Sequence, residues 1–186
     1  DDDLSSRFNQ IARERFDIHI ANGTKLEETD KGVRLELDDG TSIEAEAILV
    51  ATGRTPNGDQ MDVDKAGIEL LADGRVKTDE FGRTTAEGVW ALGDVSSPYM
   101  LKHVANAEMR SVQHNLLHPE DLRPLPHDNV PAAVFTHPQI ATVGRTEKQA
   151  REEGFDVTVK VQNFGDVAYG WAMEDKTGIC KLVADR

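Results

Sequence analysis

The sequence predicts an α/β chain that becomes α+β in its last segment, and three observations predict it. A helical stripe near the start gives way to strands of period two, and a continuous apolar run, AILVATG at 47–53, ends in glycine as a strand buried on both faces does. Beyond residue 130, short strands surround one well-capped helix.

The elements follow in order. Residues 4–16, LSSRFNQIARERF, place Phe8, Ile11, Ala12 and Phe16 on one helical face, with aspartates and serines ahead of it to cap the free N–H groups. From Asp17 the period changes to two. Ile18 and Ile20 alternate with polar neighbours, then Val33, Leu35 and Leu37, with turn signals at 30–32 and 38–40, so the spacing predicts half-exposed antiparallel strands. This meander feeds the run ending at Gly53, after which Pro56 and Gly58 mark a first boundary. RVKTD and VWALGD, within 74–94, read as short strands around a turn at 80–82. LKHVANAEMRSVQHNLL then sets Leu101, Val104, Ala105, Met109, Val112 and Leu116 at helical spacing until Pro119 stops it. Residues 119–131 hold four prolines and form a crossing, with a second boundary near His127. Strands AAVF and IATVG, a helix TEKQAREEG capped by Thr146, and strands DVTVKVQ and GICKLVAD complete the chain. No internal repeat is evident.

Composition narrows the function. The 186 residues carry 21 Lys and Arg against 34 Asp and Glu, a formal charge of −13, which repels phosphate backbones and anionic headgroups. Neither nucleic acid nor membrane is therefore an expected partner. The single cysteine, Cys180, has no partner for an internal disulfide, in keeping with a reducing, cytoplasmic compartment. In its strand it reads as a small hydrophobe. His114 and His118 lie four apart near a helix end, but no further ligand stands at metal-site spacing, so no metal is expected. No two of the 15 glycines are separated by one residue, which excludes a GxGxxG fingerprint, and there is neither a GxxxxGK loop nor a GxSxG elbow.

Two constellations remain. ATGRTPN, 51–57, ends an apolar strand in a small-residue turn that lets main chain approach a ligand, with Arg54 beside Gly53. TTAEGVWALGD, 84–94, ends in Asp94 and is followed closely by the helix from Leu101. A carboxylate there accepts hydrogen bonds from hydroxyls, and the free N–H groups of the helix hold an electron-rich oxygen. An ordinary βα turn and a capping aspartate are the plainer readings of the same residues.

At these residues the chain resembles the flavoprotein disulfide reductases, the group that includes glutathione reductase, dihydrolipoamide dehydrogenase and mycothione reductase. ATGRTPN is similar to the family's passage from its NAD(P)H domain back to its FAD domain, and TTAEGVWALGD to its second FAD motif. VPAAVFTHPQIATVGRTEKQA, 130–150, is similar to the start of its dimerisation domain. MLKHVANAEMR and FGDVAYGWAMEDKTGICKLVAD are most similar to the mycothione-reducing branch. The resemblance implies partial FAD- and NAD(P)-binding three-layer domains: 1–56 as the second half of the NAD(P)H domain, 57–126 as the second half of the FAD domain, and 127–186 as the beginning of the interface domain. It implies that Asp94 binds the ribityl chain of FAD, that main chain at Lys102 meets the pyrimidine side of the flavin with His103 nearby, that Gly53 and Arg54 lie close to the pyrophosphate, and that Phe135 approaches the ring system. Both glycine fingerprints, the CxxxxC redox pair and the C-terminal His-Glu pair are absent from the sequence, so the expectation is an internal fragment with no catalytic residue of its own. For the parent it implies an NADPH-dependent homodimer, joined through the segment after Val130, that reduces a small-molecule disulfide. Two alternatives stay open: a relative acting on lipoamide or mercuric ion, and a non-catalytic dimerising module.

Overall fold

The computed structural model describes residues 1–186. Helix α1 spans Asp2–Ala12, where the Asp1 side chain accepts from the Asp3 N–H and the acidic first turn offsets the helix dipole. It ends four residues short of the predicted boundary. Phe16 is exposed, so no packing carries the stripe further.

Strands β1 (Gly23–Thr29), β2 (Gly32–Leu37) and β3 (Ser42–Ala45) form an antiparallel sheet in that order, with Leu26 opposite Leu35 and Leu35 opposite Ile43. Arg34 lies across from Glu44 and donates to it through Nε at 2.9 Å. The first strand of the meander is not the one expected: Ile18 and Ile20 lie in unpaired chain. GTKLEET forms the strand instead, clasped at its start by Asn22, whose N–H and amide donate to the Asp38 carboxylate at 3.1 and 2.8 Å. The apolar run 47–53 is a second correction. It is not a strand, and Leu49 and Val50 are 88% and 70% exposed. A strand buried on both faces needs a strand beside it and cover on each side, and no element of this chain supplies either.

Residues 58–95 hold three 3₁₀ turns and the single bridges Leu70–Val76, Thr78–Thr84 and Arg83–Trp90 in place of the continuous strands expected at RVKTD and VWALGD. Asp79 shapes the turn expected at 80–82: its Oδ1 accepts from the N–H groups of Phe81 and Arg83 at 3.0 and 2.9 Å. Partial burial opposes ionisation of Asp79. The backbone and guanidinium hydrogen bonds from Arg83 and the N–H of Phe81 outweigh it and hold the carboxyl below its ordinary range.

Helix α2 spans Lys102–Leu117, as its spacing predicts, but buries a different stripe: Val104, Glu108, Val112 and Asn115. Met109 and Leu116, expected inside, are exposed. The inward face is turned onto the loops at 79–82 and 93–95, whose unpaired backbone groups call for polar partners. Asn115 donates to the carbonyls of Phe81 and Arg123 at 3.1 and 2.9 Å and accepts from the Arg123 N–H at 2.7 Å.

The rest matches its predicted order. β4 (Ala132–Val134) and β5 (Ile140–Thr142) pair as a short hairpin, and α3 (Glu147–Glu152) opens on a capping box between Thr146 and Gln149. β6 (Val157–Asn163) pairs antiparallel along its whole length with β7 (Ile179–Asp185). Between them stands a short helix, α4 (Ala168–Ala172), that no periodicity announced. Lys181 of β7, only 6% exposed, reaches Asp3 at 2.7 Å, Glu147 at 2.9 Å and Asp1 at 3.0 Å, tying α1 and α3 to the last sheet. Only 16 of the 186 residues are buried, so the elements meet in several small contacts rather than around one large core. No helix is long and apolar enough to cross a membrane.

Candidate functional site

The two constellations, forty residues apart in sequence, come together. Arg54 Nη1 donates to Asp94 Oδ2 at 3.1 Å, with the side chains 70% and 53% exposed. Gly53, just before it, has φ +128, a conformation that glycine adopts without strain, and a Cβ placed there would meet nothing within 4 Å. This leaves open space over the main chain. Asp94 sits in the 3₁₀ turn Gly93–Val95, and its second oxygen is free to accept from another donor.

Seven residues on, α2 begins without a side-chain cap, since Leu101 at the cap position offers no acceptor to the first-turn N–H groups. Lys102, the first helical residue, is exposed, and its main chain can donate outward. His103 is exposed as well, but its Nε2 engages the Pro131 carbonyl at 2.8 Å and links α2 to the segment entering β4. Phe135, directly after β4, stands 86% exposed. The structure therefore joins Arg54 to Asp94 and His103 to the approach of β4, and it leaves Phe135 projecting from the surface.

The turn bearing Asp94 is held from beneath by groups that sequence reasoning missed. Glu108, fully buried, accepts from the Gly93 N–H through Oε2 at 2.6 Å and pairs through Oε1 with His127 Nε2 at 2.6 Å. The His127 ring meets Tyr99 edge-on at 5.2 Å between centroids, and the Tyr99 hydroxyl donates to the His127 carbonyl at 2.9 Å. One signal was available: Glu108 lies four residues from both Val104 and Val112, a carboxylate on the apolar stripe. Such a position demands buried partners.

Other candidates separate from this site. His114 and His118 stack at 4.8 Å between ring centroids, with His114 Nε2 on the Asp121 carbonyl at 2.8 Å, and no group of three or more His, Cys, Asp or Glu side chains is arranged to hold a metal ion. Cys180 is exposed on β7 as a free thiol. A cleft of 490 Å³ between residues 77 and 90, lined by Asp79, Arg83, Glu87 and Trp90 among others, contains none of the six expected residues.

An exposed carboxylate beside an arginine, an uncapped helix start and an open glycine turn suit an elongated ligand bearing hydroxyls and negative charge. The family model described as pyridine nucleotide-disulphide oxidoreductase matches residues 1–110, and that of the same family's dimerisation domain matches 130–186. The chain is 53% identical over its whole length to a mycothione reductase of Mycobacterium tuberculosis, and 37% identical over 99% of its length to a dihydrolipoyl dehydrogenase of Halobacterium salinarum. It spans 41% and 40% of those two relatives. Its fold superposes on the HOCl-induced flavoprotein disulfide reductase RclA from Escherichia coli with a TM-score of 0.86 at 28% identity, covering 98% of this chain and 42% of that one. Matched by one family model along more than half its length, and by that family's dimerisation model along most of the remainder, the chain belongs to the pyridine nucleotide-disulphide oxidoreductase family.

Proposed function

We propose that this chain forms part of an FAD-dependent, NADPH-using reductase of a low-molecular-weight disulfide, with mycothione as the substrate. The observation that carries the reading is the Arg54–Asp94 contact, which puts the ends of two distant motifs on one exposed surface beside the start of α2. In this reading, residues 1–56 belong to the NAD(P)H domain, 57–126 to the FAD domain and 127–186 to the interface domain. The 53% identity to a mycothione reductase supports the substrate, against 37% to a dihydrolipoyl dehydrogenase.

The residues present fit FAD. The half-exposed Asp94 has an oxygen free for ribityl hydroxyls, the open turn at Gly53 would admit a pyrophosphate beside the Arg54 guanidinium, and the uncapped N–H groups from Lys102 onward would be available to an electron-rich ring edge. When bound, FAD would supply the redox centre between NADPH and a dithiol that this chain, with its single cysteine, does not contain. What these residues do is bind and orient. Asp94 fixes the tail, Arg54 offsets phosphate charge while steadying Asp94, and His103 holds the head of α2 against the segment leading to β4. Phe135 would close on the ring system from the interface side.

Apolar side chains exposed beyond Val130, among them Val134, Val143, Tyr169 and Trp171, support pairing of two copies through this segment. Flavin content tests the function: the complete protein containing this chain, purified from FAD-supplemented buffer, should carry stoichiometric flavin and oxidise NADPH with mycothione. Asp94→Ala should lose flavin, and a colourless wild-type protein would end the proposal.

A further inference from the structure

The structure assigns Glu108 as the positioning residue of the proposed flavin site, acting through the Gly93 N–H and His127. A carboxylate taken wholly out of water is costly unless its oxygens are met by strong donors, and here each oxygen is met at 2.6 Å, one by backbone and one by imidazole. The backbone partner directly precedes Asp94. Gly93 has φ +70, and a Cβ on it would sit 3.4 Å from that of Ala105 on α2, so the turn is pressed against the helix as well as bonded to it. Glu108 thus sets the height and direction from which the Asp94 carboxylate leaves the turn, and it sets them relative to α2, the same helix whose uncapped end forms the other part of the site.

Its second oxygen extends the device. His127 lies in the crossing between the two matched family regions, and Tyr99 braces it through the ring contact and the hydroxyl bond to its carbonyl. The turn, the helix and the crossing to the dimerisation segment are therefore pinned at one carboxylate that touches no ligand itself. This inference rests on the flavin reading, and its test separates the two.

In the complete flavin-bound protein, FAD affinity would be measured by flavin fluorescence for wild type, Glu108→Gln, Glu108→Leu, His127→Phe and Asp94→Ala, with amide exchange of Gly93 followed in each. Leu at 108 should speed Gly93 exchange and weaken FAD by about tenfold, the factor that one lost hydrogen bond to a charged acceptor carries. Gln keeps an acceptor for Gly93 and should stay close to wild type in both, and Phe at 127 should fall between. Should the Leu variant fail to fold, the ranking of wild type, Gln and Phe decides alone. Faster Gly93 exchange with unchanged FAD affinity, or a Gln variant as weak as Leu, overturns the positioning role while Asp94→Ala still weakens FAD. Asp94→Ala without effect overturns the flavin reading and this inference with it.

Discussion

Arg54 and Asp94 meet with both side chains largely in water, where an ion pair is worth about 0–1 kcal/mol because solvent screens it and two long side chains lose freedom. The contact therefore serves to orient the carboxylate more than to stabilise the fold. Arg54→Ala should change the unfolding free energy by no more than about 0.5 kcal/mol in urea titration. A larger loss would mean that the pair is structural. Asn115 is the opposite case, 1% exposed and bonded to three backbone groups. Asn115→Ala should cost about 3 kcal/mol, since the Phe81 and Arg123 groups lose their partner inside the protein. A shift below about 1 kcal/mol would show that water reaches them.

Among the elements, α2 shows what the sequence disclosed and what it withheld. Its extent was legible because apolar residues recur at three and four and Pro119 ends the pattern; its inward face was not. Periodicity assigns burial to Met109 and Leu116, whereas the helix turns Glu108 and Asn115 inward because the loops it covers present unpaired N–H and carbonyl groups. The strands β6 and β7 and the Thr146 cap were readable from local chemistry alone, whereas the pairing of the two strands across α4 was not. The run 47–53 was misread because an apolar stretch reports the surroundings it needs, and this chain does not provide them. At the candidate site, Asp94, Arg54 and the head of α2 were visible as motif ends. The Glu108–His127 pair was half legible: the apolar stripe flags Glu108, but nothing in the pattern names a loop histidine nineteen residues away as its partner.

Across the whole molecule, the small core gives weight to ties between distant segments, and Lys181 is the clearest of them. Burial lowers the pKa of this amine, but its hydrogen bonds to Asp3 and Glu147 and their charges win and raise it above the ordinary value. Glu147 is held below its ordinary range, first by the Lys181 hydrogen bond and then by Arg151. A raised amine contributes stability that is present below its unfolded value and lost as pH climbs through the folded one. A depressed carboxyl contributes stability present above its unfolded value and lost as pH falls through the folded one. The tie between α1, α3 and β7 should therefore hold across the neutral range and loosen both below about pH 4.3 and above about pH 10.4. In Tm measured against pH, Lys181→Met should lower the plateau and flatten both limbs, and an unchanged profile would remove Lys181 from the account. The central claim concerns where a flavin sits, and a crystal structure of the complete protein with FAD tests it most directly. The account predicts ribityl hydroxyls at about 2.6–3.0 Å from Asp94 and the pyrimidine edge within hydrogen-bond reach of the Lys102 N–H. A flavin bound elsewhere, with Asp94 paired only to Arg54, would contradict it.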